Sequence, residues 1–306
     1  MPRSGQTAGN IHMTIRTLRP SGGLALRIWN LVWTPIALFL GFFPLAIVNL
    51  AQFPSLLLLP ISKRAFRAYN RTLAGVIWGY WAWALDHVNG LRLEVTGDPL
   101  PMAEDAIVIC NHQTMSDIVV IVCLAYTKGR IGDLKWMVKD GLKYVPGLGW
   151  GMLFLDCLFL KRNWADDAVH IQQTFARYIS AKAPLWLVSF PEGTRLTAAK
   201  LKASQAFATR SGLVPTQRAL LPRPKGFTAS VAGLRGYVRA VYSLTITYDN
   251  PTPSLVAIIR GDVARVQLHV RRVEINDLPS SEHELAAWLT ADFQGKDATI
   301  AAAKMH

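Results

Sequence analysis

Acidic residues are scarce in this 306-residue chain: 20 Asp and Glu stand against 33 Lys and Arg, a formal charge of +13. A surface this basic suits nucleic acid, anionic lipid or a phosphorylated ligand. No nucleic-acid-binding motif is present, and a hydrophobic content of 51% favours lipid over nucleic acid. Cysteine is scarce too. Cys110, Cys123 and Cys157 are odd in number and form no CxxC pair. That excludes a disulfide framework and a zinc site, and makes a reducing compartment the expectation. All three read as small buried hydrophobes. The chain also lacks internal repeats, low-complexity tracts, a metal-ligand set and the GxSxG elbow of a serine hydrolase.

Charge is missing altogether between Ile28 and Ser62. As one helix this 35-residue stretch would run about 52 Å, too long for one crossing of roughly 30 Å of hydrocarbon and too short for two. Pro35, Pro44, Pro54 and Pro60 punctuate it, and proline breaks or kinks helices. Basic residues flank both ends, Arg16, Arg19 and Arg27 before and Lys63, Arg64, Arg67 and Arg71 after, so both ends favour the cytoplasm. A helical hairpin dipping into the cytoplasmic leaflet is the expectation, with one true span plus an interfacial helix as the alternative. A cleavable signal peptide fits poorly, because the run is too long and no clear small-x-small site precedes the next basic cluster. The uncharged segment 72–85, with Trp78, Tyr80, Trp81 and Trp83, suits the headgroup boundary or a buried helix.

From about residue 91 short apolar runs alternate with helical patterns. Strands are expected over 91–95, 106–110, 134–138, 157–161, 185–190, 240–248 and 265–275, with helices over 164–182 and 198–210. Such alternation argues an α/β domain with a largely parallel sheet flanked by helices. The chain thus divides into a basic tail (1–23), hydrophobic anchoring helices (24–89) and a catalytic-sized domain (90–306). Ligand sites in such sheets lie at the carboxyl ends of strands. Three polar stretches fall there.

The first is NHQTMSD, residues 111–117. On a continuous helix His112 and Asp117 would point about 140° apart. A catalytic pair needs a turn that folds His112 back, and Thr114-xx-Asp117 has the capping-box form that starts a helix there. Asp117 would then hold one imidazole nitrogen and leave the other to take a proton. The same letters also read as an ordinary strand–helix loop. The second stretch is FPEGTR, residues 190–195, ahead of a helix capped by Thr197. Arg195 and backbone N–H groups make it a suitable phosphate site, although a simple acidic turn fits as well. The third, CLFLKRNW, puts Lys161 and Arg162 at another strand end, as part of an anion pocket or as a solvated terminus.

Taken together these stretches resemble the 1-acylglycerol-3-phosphate acyltransferase (lysophospholipid acyltransferase) family. NHQTMSD matches its NHxxxxD block and FPEGTR its phosphate-binding block, a six-letter match expected by chance on the order of once in a hundred thousand chains. The Arg162 segment matches the second block, with Lys161 where the family has an acidic residue, and LLPRPKGF (220–227) is similar to the fourth. Stretches 138–151 and 286–300 look like the longer lysocardiolipin-acyltransferase-like branch. The resemblance implies the glycerolipid acyltransferase fold behind membrane-anchoring helices. It implies His112 as general base oriented by Asp117, and transfer of an acyl group from acyl-CoA or acyl carrier protein to a lysophospholipid hydroxyl without an acyl-enzyme. Phosphate binding falls on Glu192, Gly193, Thr194 and Arg195, with Arg162. Asn111, Lys161, Lys139 and Pro222 are secondary candidates. No cofactor or metal is expected beyond the acyl thioester co-substrate. The expected partners are lysophospholipid, the thioester, anionic membrane lipid and acyl carrier protein, not nucleic acid. The expected location is the membrane with the site facing the cytoplasm.

Overall fold

The computed structural model describes residues 14–161, 163–249 and 252–303. Seven strands form one sheet: β1 (Arg92–Gly97), β2 (Ala106–Cys110), β3 (Leu134–Lys139), β4 (Leu158–Leu160), β5 (Trp186–Ser189), β6 (Ala240–Thr247) and β7 (Arg265–Glu274). Their order is β1-β7-β6-β2-β5-β3-β4. Every pairing is parallel except β6 with β7. Each strand expected from the apolar runs is present, and the helix expected over 198–210 is Ala198–Arg210.

The burial patterns follow from this order. β2, β5 and β6 are buried at every position, as strands covered on both faces must be. Side chains alternate along β2: Ala106, Val108 and Cys110 enter one core with Trp78, Val119 and Trp136, while Ile107 and Ile109 enter the other with Phe175, Val231 and Phe293.

The N-terminal hairpin turns later than the prolines suggest. Helix Gly23–Gln52 runs unbroken through Pro35 and Pro44, passes into the 3₁₀ segment Phe53–Leu58 containing Pro54, and turns at Pro60. Helix Lys63–Trp83 returns, capped by Ser62, whose side chain accepts from the Ala65 N–H at 3.2 Å. Pro44 has no N–H to give the Leu40 carbonyl one turn back. Tyr80 of the returning helix supplies its hydroxyl to that carbonyl at 3.0 Å, and Trp81 Nε1 donates to the Gly41 carbonyl at 2.9 Å. The helix therefore survives Pro44 because a neighbour satisfies the freed acceptor.

The hairpin lies along the domain. Trp33 Nε1 donates to the Arg260 carbonyl at 2.8 Å, and Phe53 packs edge-on against Trp150. Before this hairpin, Arg19 pairs with Asp262 at 2.8 Å. Gly132, just ahead of β3, admits the returning helix so closely that a Cβ there would sit 2.7 Å from the Arg71 carbonyl oxygen. Gly132→Ala must push backbone aside, at a cost of about 1–3 kcal/mol. Thermal unfolding should show the loss. An unchanged midpoint would mean that the hairpin does not seat here.

Candidate active site

β2 and β5 are neighbours, so the loops that follow them emerge side by side at the carboxyl edge of the sheet. The turn after β2 folds back before helix Ser116–Thr127 begins. His112 Nδ1 lies 2.9 Å from Asp117 Oδ2, the geometry that a continuous helix would forbid. The same Oδ2 accepts the Gln113 and Thr114 N–H groups at 2.7 and 2.9 Å, and Oδ1 accepts the Tyr248 hydroxyl at 2.8 Å. Asp117 is fully buried in the first helical turn, where the positive end of the helix favours its charge. Only half of the expected capping box forms. The carboxylate meets the Thr114 N–H, but the Thr114 hydroxyl donates to the Pro253 carbonyl at 3.0 Å.

With four donors aimed at it, Asp117 acts as an acceptor, so the proton on His112 sits at Nδ1 and Nε2 is left with its lone pair. Burial, and next the charge of Asp117, pushes the Tyr248 hydroxyl well up, so it stays a donor. The imidazole stacks on Phe190, ring centroids 3.9 Å apart. Among the described residues Nε2 has no hydrogen-bond partner.

The FPEGTR loop is fastened to this turn twice. The Leu196 N–H donates to the His112 carbonyl at 2.8 Å, and the Glu192 carboxyl accepts the His112 N–H. Here the structure corrects an expectation. Glu192 is not on the outer, phosphate-facing side of the loop but 3% exposed, also accepting from the Leu220 N–H, with Oε2 unpartnered among the described residues. Burial pushes its carboxyl well above the usual range. A carboxyl with a raised folded-state value contributes stability that is complete below the usual carboxylate range and is lost as pH rises through the raised value. Glu192→Gln keeps a carbonyl acceptor and cannot ionise. Its unfolding midpoint should therefore fall less than that of wild type as pH rises above the usual carboxylate range. Parallel pH curves would show that Glu192 ionises without penalty.

The outer face of the loop is cationic. Gly193 adopts φ +69°, and its N–H closes the turn on the Phe190 carbonyl at 2.9 Å. That N–H is engaged in the turn rather than turned outward. The Lys200 ammonium reaches the Thr194 hydroxyl and the Arg195 carbonyl, while the exposed Arg195 guanidinium has no ion-pair partner among the described residues. Sequence reasoning missed Arg223. Its N–H donates to the Pro191 carbonyl at 2.8 Å, and its side chain passes within 3.4 Å of the Cβ position of Gly193. Pro222 beside it is half-buried. The signal was the basic PRPKG run at 222–226, which pattern alone does not tie to residue 193.

The remaining candidates spread along the same edge. Asn111 is buried and continues the β2–β6 ladder through both side-chain atoms, Nδ2 to the Ile246 carbonyl at 3.0 Å and Oδ1 from the Ile246 N–H at 2.8 Å. Lys139 is exposed at the end of β3. Lys161 lies beyond β4, two strands or about 10 Å from β5, exposed and 3.7 Å from Asp166. Arg162 lies outside the described residues. The two side chains near His112 that could form an acyl-enzyme are enclosed: the Ser116 hydroxyl donates to the Pro253 carbonyl at 3.1 Å, and burial pushes the Cys110 thiol well up. Cys157 is buried as expected, whereas Cys123 is partly open.

A family model described as Acyltransferase matches residues 92–244, and one described as Acyltransferase C-terminus matches 257–302. The chain is 36% identical over 261 residues to 1-acyl-sn-glycerol-3-phosphate acyltransferase 2 of Brassica oleracea, covering 83% of this chain and 67% of that protein. It is 34% identical over 257 residues to 1-acyl-sn-glycerol-3-phosphate acyltransferase gamma of Homo sapiens, covering 82% and 68%. The crystal structure of the 1-acyl-sn-glycerophosphate (LPA) acyltransferase PlsC from Thermotoga maritima superposes with a TM-score of 0.56 over 90% of this chain and 98% of that one. Its identity is 19%, so it speaks for the fold alone.

Proposed function

Because this chain belongs to the 1-acyl-sn-glycerol-3-phosphate acyltransferase family and is an acyltransferase, we propose that it acylates the free hydroxyl of 1-acylglycerol-3-phosphate or a related lysophospholipid, from acyl-CoA or an acyl carrier protein thioester. The observation that carries this reading is the His112–Asp117 pair at 2.9 Å, with Nε2 unengaged beside the cationic FPEGTR loop.

His112 Nε2 takes the proton of the acceptor hydroxyl as its oxygen attacks the thioester carbonyl. The tetrahedral intermediate collapses with loss of the thiolate, which recovers the proton from the imidazolium. Asp117 fixes the tautomer and offsets the transient positive charge, and Glu192 holds the backbone of His112 in place. Arg195 and Arg223, with Thr194 of the loop and Arg162 of the matching second block, bind the acceptor phosphate, and Gly193 forms the turn that presents them.

The hairpin supports a seat in the membrane. Gly23–Leu58 is the one helix among the described residues long and apolar enough to cross a membrane, with mean hydropathy 2.2 and only 6% of that window buried. Yet it is docked along the domain rather than projecting from it, through Trp33 on Arg260 and Phe53 on Trp150. That supports insertion into one leaflet, the cytoplasmic one by its basic flanks. An apolar pocket of about 120 Å³ between the hairpin and the site helix, lined by Trp33, Leu40, Trp81, Leu85 and Val119, suits part of an acyl chain.

The test is an acceptor panel. Vesicle-bound enzyme receives 1-acylglycerol-3-phosphate, lysophosphatidylglycerol or lysocardiolipin with each donor, and diacyl products are read by mass spectrometry. Product from 1-acylglycerol-3-phosphate is expected. Product from another acceptor alone would move the headgroup assignment, and no product from any would remove the reading.

A further inference from the structure

At the opposite, amino-terminal edge of the sheet the chain forms a second basic cleft, of about 690 Å³. It lies between the start of helix Lys63–Trp83, the residues leading into β3 and β4, and the turn before β5. The length of β5 with its flanks, on the order of 15–20 Å, separates it from the FPEGTR loop.

Its charges are unevenly satisfied. Arg71 and Arg130 occupy the Asp133 carboxylate, with Arg130 Nη1 at 3.0 Å, and Arg67 pairs with Asp156 at 2.8 Å. That uses both carboxylates in the lining. Arg64, Lys135 and Lys182 are left with no hydrogen bond or ion pair from their charged ends among the described residues. Lys135 is the telling member. It is partly buried on β3, and burial pushes its ammonium down, so an anion brought against it gains more than one at an open surface.

The cleft also meets the hairpin turn. Phe154, in its wall, packs against Phe53 at 5.5 Å and Phe66 at 6.1 Å. Beyond them the turn exposes Leu57 at 75% and Ile61 at 79%. An apolar turn beside an undercompensated cationic cleft matches one ligand chemistry, a phosphate carried at the end of acyl chains. We propose that this cleft binds the phosphate of an anionic membrane phospholipid, a lipid that is held rather than acylated. It would fix the depth and tilt of the hairpin end of the molecule. The proposal rests on the membrane seat argued above.

The test is flotation of the full-length protein with vesicles of phosphatidylcholine alone and with added phosphatidylglycerol. Arg64→Ala/Lys182→Ala and Lys135→Met are compared with wild type and with a charge-matched control on the far sheet edge, Arg92→Ala/Arg265→Ala. Wild type should prefer the anionic vesicles. The cleft variants should lose about tenfold of that preference, Lys135→Met with an unfolding midpoint equal to or above wild type because it removes an unpaired charge. The control should keep the preference. Equal loss in the control would reduce the effect to general charge and overturn the site. Retained preference in the cleft variants overturns it too, as does millimolar inorganic phosphate abolishing the preference, which would mark the ligand as a soluble anion. Wild type that floats equally with both vesicles sinks the proposal but leaves the membrane seat standing. Wild type that floats with neither sinks both.

Discussion

His112→Ala should lower the rate of acyl transfer about a thousandfold while leaving the fold in place. Among the described residues of the site the imidazole is the group with an unengaged basic nitrogen, and a positioned general base contributes about 10²–10⁴ in rate. It is also removable without structural damage. His112 is held to its neighbours chiefly through backbone, the N–H on Glu192 and the carbonyl on Leu196, and both bonds survive truncation to alanine. Lost with the ring are its stacking on Phe190 and one hydrogen bond to Asp117. The measurement is initial rate together with an unfolding curve. A rate within tenfold of wild type in a folded variant would remove His112 from the chemistry.

Asp117→Asn should match that loss in rate and exceed it in instability. An amide placed where the carboxylate stands can present an N–H to His112 Nδ1. That would move the imidazole proton to Nε2 and abolish the base, an effect on the order of 10⁴ where a carboxylate–histidine pair has been broken in this way. Alternatively the amide turns its oxygen to His112, and its N–H₂ then faces the hydroxyl of Tyr248. In either orientation a buried donor is left opposed or unpaired, at about 1–3 kcal/mol. The expected pattern is a rate near that of His112→Ala with a lower unfolding midpoint. The double variant should be no slower than the worse single one, because the two residues act as a unit. A double variant slower by the product of the two effects would mean that Asp117 acts independently of His112.

How legible these parts were in the sequence depended on how local their causes are. The strands were readable because a strand covered on both faces is largely apolar, as β2 is throughout. The pairing of His112 with Asp117 was readable because the turn that permits it lies between them. Glu192 was misplaced because its environment is assembled from afar: two backbone N–H groups, at His112 and Leu220, stand where the local letters FPEGTR suggest open loop. Tyr248 and Arg223 escaped for the same reason, lying 131 residues from Asp117 and on a separate segment from Gly193. The helix through Pro44 was a related case. Proline removes a local bond, and only a hydroxyl 40 residues on explains why the helix continues.

The central claim is that acyl transfer is direct: the acceptor oxygen, deprotonated by His112, attacks the thioester itself. Rapid-quench measurement of thiol release from an acyl thioester, before and after lysophosphatidate is added, tests this most directly. The account predicts no thiol burst and no acylated protein until acceptor is present, then release of thiol and diacyl lipid in equal amounts. A stoichiometric burst without acceptor, with the acyl group recovered on Ser116 or Cys110, would contradict it.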